Sequence, residues 1–275
     1  MLSVNTNMSS LVAQNNLQAS QSRLNQSLER LSTGLQINSA ADNPAGLVTS
    51  SLQNAQINGL TQSIQNTQTA SALVQTADSS LSNINDLLVQ VRNLAANSAN
   101  NATQSTASLT ANQSNATALL ASIDNIATTT KFGTVALLDG SFSAKQFQTG
   151  AFSGQTASLT IAKSDSTTLA VNSIDLTTAA GATAALTAID AAISTIATAR
   201  GDLGAFASGT LTATQNNNQA QLTNLQQAKS ILTDTNYQTE IAKYTSENIR
   251  QQAASTVLGM ANQSNQSILS LLRGQ

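Results

Sequence analysis

Residues 60–96, LTQSIQNTQTASALVQTADSSLSNINDLLVQVRNLAA, decide the fold. Leu60, Thr67, Val74, Leu81, Leu88 and Ala95 recur every seven residues, and Ala70, Ala77, Ile84 and Val91 form a second, interleaved row. Two rows at this spacing hold one side of an α-helix against a partner, as in a coiled coil. At the α-helical rise the segment is a rod roughly 55 Å long. Small residues in both rows let the partner helix approach closely.

Working outward, residues 97–106 are rich in Asn, Ser and Thr and read as a turn. Leu109, Ala116, Leu119, Leu120, Ile123 and Ile126 then predict a third helix, antiparallel to the second. Upstream, Leu17, Leu24, Leu28, Leu31 and Leu35 step by 7, 4, 3 and 4, which predicts a first helix with a coiled-coil seam. Gly34 and residues 38–46 form a connector, with Asn43 as N-cap and Pro44 as first helical residue.

Beyond residue 128 the pattern changes. Phe132, Phe142, Phe147 and Phe152 sit among Gly133, Gly140, Gly150 and Gly154, and residues 158–162 and 168–171 alternate. Short strands and turns are expected there. Helical spacing returns with Leu186, Ile189, Ile193, Ile196 and Leu203 and runs on through Leu222, Leu225 and Leu232. Gly201-Asp202-Leu203-Gly204 reads as a helix interruption, and Asp234, Thr235 and Asn236 as a break before a last helix carrying Ile241, Tyr244, Ile249, Ala253, Val257 and Met260. Tyr237 and Tyr244 are expected to pack in that break, with a contact between subunits as the alternative reading.

The fold class is therefore mainly α: a long helical bundle or coiled coil with amphipathic helices at both chain ends and a small β-hairpin region in the middle.

Composition agrees. Aromatic residues are 3%, with no Trp and one Pro, so the core is built from small aliphatics suited to side-by-side helices. Charged residues are 9%, far below the quarter or so of ordinary soluble domains, and a net charge of −2 opposes self-association little. Low charge also suits a disordered linker, but the periodicity opposes that reading. Two paired terminal helices leave apolar surface uncovered, and further copies of the chain are the economical cover. Intersubunit burial is expected near the ends, at Leu11, Leu17, Leu24, Leu28, Leu31, Leu35, Val257, Leu258, Leu269 and Leu272.

Other classes are poorly served. The absence of Cys and His removes disulfides, thiolate metal sites and His-based catalysis, and the carboxylates are scattered without metal or glycosidase spacing. No cofactor, metal or catalytic residue is expected. Lys and Arg are too sparse for a nucleic-acid stripe, no apolar run approaches a membrane span, and the first residues lack the features of a cleavable signal peptide. Asn112-Gln113-Ser114 and Asn101-Ala102-Thr103 match the N-glycosylation pattern, which chance explains in so Asn- and Ser-rich a chain.

Several runs resemble one family. Val4-Asn5-Thr6-Asn7, Gln14-Asn15-Asn16-Leu17, Leu28-Glu29-Arg30-Leu31-Ser32-Thr33-Gly34-Leu35, Asp42-Asn43-Pro44-Ala45-Gly46 and Val91-Arg92-Asn93-Leu94-Ala95 are very like the N-terminal signature of bacterial flagellins. Gly201-Asp202-Leu203-Gly204-Ala205, Asp234-Thr235-Asn236-Tyr237, Ile249-Arg250-Gln251-Gln252-Ala253 and Val257-Leu258-Gly259-Met260-Ala261-Asn262-Gln263 resemble the C-terminal one.

The resemblance implies a secreted structural subunit that self-assembles into the extracellular flagellar filament for swimming motility. The filament cap, hook–filament junction proteins, an export chaperone and the flagellar type III export apparatus are the implied partners. It also implies a nested arrangement in which the coiled coil is formed by both chain ends: residues 1–43 with 236–275 as a terminal coiled-coil domain, 44–130 with 182–235 as a helical rod, 131–181 as a small β region, and Asn38, Asp42, Asn43, Pro44 and Gly46 as the inter-domain connector. A hook–filament junction protein or another secreted coiled-coil protein is the alternative. Gln90, where many flagellins carry Arg, departs on the surface that the animal flagellin receptor reads. Phe206-Ala207-Ser208-Gly209-Thr210 and the final Gly274-Gln275 depart as well.

Overall fold

The computed structural model describes residues 7–100 and 102–273, with side chains as far as residue 263. In chain order the elements are α1 Met8–Thr33, α2 Pro44–Ala99, α3 Thr106–Thr129, β1 Lys131–Phe132, β2 Val135–Ala136, β3 Lys145–Gln148, β4 Thr156–Leu159, α4 Ala179–Ala205, α5 Ala213–Thr233 and α6 Tyr237–Arg273. β1 pairs with β2 and β3 with β4, both antiparallel. The chain is thus mainly helical, with small hairpins in the middle. It forms two compact units, Met1–Ala55 with Asn224–Gln275 and Gln56–Thr223. The divisions fall inside α2 and α5 instead of at the connector.

In the unit Gln56–Thr223 the two rows of α2 are the organising feature. All ten positions of the heptad pattern are 0–3% exposed, and Ser63 and Ser98 extend the second row by one step at each end. A single helix cannot cover two rows of its own side chains, so other helices must. Leu109, Ala116, Leu120, Ile123 and Ala127 of α3 join the core, as do Ala182, Ala185, Ile189, Ala192, Ile196 and Leu203 of α4. Arg92 with Asp190 at 2.6 Å, and Arg200 with Asp78 at 2.7 Å, tie α2 to α4 in antiparallel sense. These pairs are partly exposed, so they fix register more than they add stability.

α4 runs unbroken through Gly201 and Gly204, and the expected interruption lies just beyond it. Phe206–Thr212 is a π-helical turn leading directly into α5. The heptad row explains it. Ile189, Ile196 and Leu203 are seven apart, and so are Leu211, Asn218 and Leu225, but Leu203 to Leu211 is a step of eight. A wider turn absorbs the surplus residue and returns Leu211, 1% exposed, to the buried side. α4 and α5 also contain an 18-residue window of mean hydropathy 1.4, long and apolar enough to span a membrane by composition alone. Here its apolar residues supply core contacts.

The β region closes one part of this core. Leu137, Leu138, Phe142, Ile161, Leu169, Val171 and Leu176 are buried against the helices. The alternation at 168–171 is real in burial but does not make a strand. Val171 N–H donates to the Ser166 carbonyl and Leu169 N–H to the Asp165 carbonyl, a turn in which Ala170 has φ +56°. The β3–β4 hairpin is fastened by Asn218, whose buried amide donates to Ser63 Oγ at 2.8 Å and to the Thr149 carbonyl at 2.7 Å. Phe147 of β3 meets Phe206 with ring centroids 6.4 Å apart, so the hairpin also touches the π turn. At Gly59 an added Cβ would stand 3.0 Å from Ala151 Cβ, so the hairpin's approach to α2 depends on a missing side chain.

Removing the amide with Asn218→Ala leaves two buried groups without a donor and is expected to cost about 1–3 kcal/mol. Ile84→Ala, which empties the centre of the second row, is expected to cost about 2–5 kcal/mol. Urea unfolding followed by circular dichroism reads both as lower midpoints. An unchanged midpoint for Asn218→Ala would mean that the hairpin is not held there.

Candidate assembly surface

The unit that joins the chain ends is built from α1, α6 and the connector. Asn7 caps α1, its side-chain oxygen accepting from Ser10 N–H at 3.0 Å, while its amide donates to the Ala261 carbonyl of α6 at 2.9 Å. α1 stops at Gly34, whose φ of +74° is the left-handed cap that glycine accepts most readily. Gln36 N–H then donates to the Thr233 carbonyl and Thr235 N–H to the Gly34 carbonyl, a two-way clasp between the connector and the junction of α5 with α6.

Within the connector, the Asp42 carboxylate accepts from the backbone N–H groups of Asn38 and Ser39 and from the side chains of Ser39 and Gln26. Those donors, Ser39 N–H first, hold its pKa below the usual carboxylate range. The Asn43 side chain accepts from Gly46 N–H at 2.9 Å, starting α2 at Pro44. A Cβ on Gly46 would lie 2.6 Å from Ile37 Cδ1 and 2.9 Å from Cγ of the capping Asn43, so a larger residue there must displace those side chains.

The seam between α1 and α6 is narrow and polar. On α1 the buried and half-buried positions include Ser10, Ala13, Leu17, Ser20, Leu24, Ser27 and Leu31, spaced alternately three and four, with Gln21 and Arg30 half-buried beside them. On α6 they include Glu240, Tyr244, Glu247, Gln251, Ala254, Leu258 and Ala261 at the complementary spacing. Because α1 presents Ser and Ala at every other seam position, Cα atoms of the two helices come within 8 Å of each other repeatedly. Hydrogen bonds cross the seam from Ser27 Oγ to Glu240 at 2.7 Å, from Ser10 Oγ to Asn262 at 2.8 Å, and between Gln251 and Gln21.

One half of the seam is a charged pocket of about 290 Å³, lined by Arg23, Ser27 and Arg30 of α1 and by Glu240, Lys243, Ser246, Glu247 and Arg250 of α6, among others. Arg250 reaches Glu247 at 2.8 Å and Lys243 reaches Glu240 at 3.3 Å, whereas Arg23 stays 3.9 Å from Glu247. Burial pushes the Glu240 carboxyl up, but donation by Ser27 and Lys243, with the nearby charge of Arg30, brings it below its usual 4.5. A lowered carboxylate pKa stabilises the pairing above about pH 4.5, and that contribution is lost as pH falls further. Circular dichroism of the monomer is expected to show helix loss below that pH. Glu240→Gln should start from a weaker pairing and lose less between pH 5 and 3. Identical acid profiles would remove Glu240 from the account.

The structure divides the leucines read from the sequence. Leu17, Leu24, Leu31 and Leu258 lie along the seam within one chain, Leu24 being 7% exposed. Leu28, one position off the seam taken by Ser27, is 45% exposed, and Leu11, Leu35 and Val257 are exposed too. Leu269 and Leu272 lie outside the residues whose side chains are described. Tyr244 is half-buried, and Tyr237 is exposed with its hydroxyl 3.4 Å from the Leu31 carbonyl. In the other unit, Gln90 lines an open groove of about 410 Å³ with Asn93 and Leu94 of α2 and Asn115 and Leu119 of α3. Sequence reading followed apolar residues and so passed over the charged ones. Yet Arg23 and Arg30, Glu240 and Glu247, and Lys243 and Arg250 are each seven residues apart, the same signal in a different residue class.

Comparison with known proteins agrees with this geometry. The model of the bacterial flagellin N-terminal helical region matches residues 4–143, and that of the C-terminal helical region matches residues 186–272. A flagellin of Halalkalibacterium halodurans is 35% identical over 274 residues, covering 98% of this chain and 99% of the relative. One of Bacillus subtilis is 33% identical over 303 residues, with the same coverage. The crystal structure of Bacillus cereus flagellin is similar at a TM-score of 0.51 and 28% identity, over 56% of this chain and 88% of that one. Both ends match in order, and relatives of nearly the same length align from end to end: the chain belongs to the bacterial flagellin family.

Proposed function

We propose that this chain, a structural subunit of the bacterial flagellar filament, polymerises by completing its terminal pair α1·α6 with other copies of itself. Incomplete cover of apolar side chains carries the reading. The seam inside the chain alternates Leu17, Leu24, Leu31 and Leu258 with Ser, Ala and Glu, so it covers only part of the large apolar side chains. Met8, Leu11, Leu28, Ile249, Val257 and Met260 are left exposed on the same two helices. Contiguous exposed apolar side chains mark an interaction surface. Val48 and Leu52 at the start of α2 and Ile231 near the end of α5 add to the exposed apolar surface of this unit.

Each large aliphatic fully buried on assembly contributes about 1.5–3 kcal/mol. Ordering a backbone residue costs roughly 1–2 kcal/mol. These terms are close enough that the pairing is weak in a free subunit and strong in a filament. The role is mechanical and involves no reaction. Export through the flagellar type III apparatus with a chaperone, growth under a filament cap, attachment through junction proteins and an extracellular location complete the proposal. They are supported by family membership.

The test is removal of residues 1–30, which deletes most of α1 and strips α6 of its seam partner. The shortened chain is expected to stay soluble and helical but to add nothing to filament seeds, as seen by negative-stain electron microscopy. Normal filaments from it would overturn the mechanism.

A further inference from the structure

We propose that the charged pocket between α1 and α6 receives the Glu29 carboxylate of a second copy, a contact repeated from subunit to subunit. This rests on the filament-building reading above and names a site within it.

Three observations lead there. First, the pocket is short of one negative charge. Arg23, Arg30, Lys243 and Arg250 face Glu240 and Glu247, and Asp42 stands 3.9 Å from Arg30. Four cations meet three carboxylates, in a chain that has only 11 basic and 13 acidic residues. Second, its hydrogen bonding is incomplete. Arg30 Nε, a donor, is buried with no acceptor. An orphaned guanidinium nitrogen is costly unless an acceptor arrives. The side chains of Arg23 and Arg250 are each 60% exposed, so both can turn toward an incoming group.

Third, the chain carries one carboxylate suited to the task. Among the described carboxylate side chains, only those of Glu29, Asp86 and Asp202 lack a hydrogen bond or ion pair, and Glu29 alone belongs to the terminal unit. At about 100° per residue it lies roughly 160° around α1 from Ser27, which sits in the seam. Glu29 therefore faces away from the seam of its own chain, next to exposed Leu28. A pocket on one face and its ligand on another make a heterologous contact, which propagates as a helix where a self-complementary one would close as a dimer. Leu28 would be buried as Glu29 docks, adding an apolar contribution to a charge-assisted hydrogen bond.

The test exploits the absence of cysteine. Chains carrying Glu29→Cys are mixed with chains carrying Ser246→Cys, on the exposed pocket rim, seeded into filaments and mildly oxidised. Any disulfide between positions 29 and 246 is then between copies. Mixed dimers in filaments, absent from the unseeded mixture, are expected; filaments without them overturn the contact. Independently of cysteine, Glu29→Gln is expected to slow elongation about tenfold at low salt, an effect that shrinks as salt screens the charge, with monomer helicity unchanged. Elongation at the original rate would also overturn it. Failure of the unaltered chain to elongate from seeds would remove the filament reading and this contact together.

Discussion

Serine and alanine along the inner face of α1 set the terms for the rest of the molecule. They let α6 come very close, and close packing of small side chains gives good fit but little buried apolar area. Glu240 and Glu247 on the facing helix reinforce this, since a buried carboxylate must be answered by hydrogen bonds and cations before it contributes anything. The pairing of the chain ends is consequently specific in register and modest in strength. Leu17, Leu24 and Leu31 are covered in the seam, while Leu11, Leu28, Val257 and Met260 lie outside it and are exposed.

The unit Gln56–Thr223 follows the opposite rule. Its seam positions are filled by Leu, Ile, Val and Ala, its helices cover one another, and the β region closes what they leave open. Its buried polar residues, Ser63, Thr67, Ser98, Thr149, Ser164, Ser166 and Asn218, each have hydrogen-bond partners. One unit covers its apolar rows within the chain, and the other leaves large apolar side chains exposed. A filament subunit needs both: a body that survives alone and ends that do not satisfy themselves.

Much of this was legible in the sequence where one residue class dominated. The ten heptad positions of α2 are all buried because a two-row pattern of aliphatics has only one arrangement that removes both rows from water. The first helix was read less accurately. Its leucines suggested a seam through Leu28, but steric fit put Ser20 and Ser27 inside and Leu28 outside. Small polar residues in a tight interface carry no hydrophobic signal. At 168–171, alternate burial was produced by a turn, because period-two burial needs alternating direction and not a paired strand. Gly201 and Gly204 suggested a broken helix, yet neighbouring packing carried α4 through both. The informative feature was the eight-residue step from Leu203 to Leu211.

That step separates length from fit in the longest helical run of the C-terminal half. Upstream of the π turn the helix keeps one rotational phase and downstream it keeps another, and the wide turn is where the two are reconciled. A single-residue deletion elsewhere in this run would rotate every following side chain by more than a quarter turn and expose the core. Within Phe206–Thr212 the same deletion would return the segment to an ordinary α-helix and leave both halves in register. The turn thus works as an expansion joint, the place in an otherwise strictly periodic chain that can gain or lose a residue without the packing on either side being rebuilt.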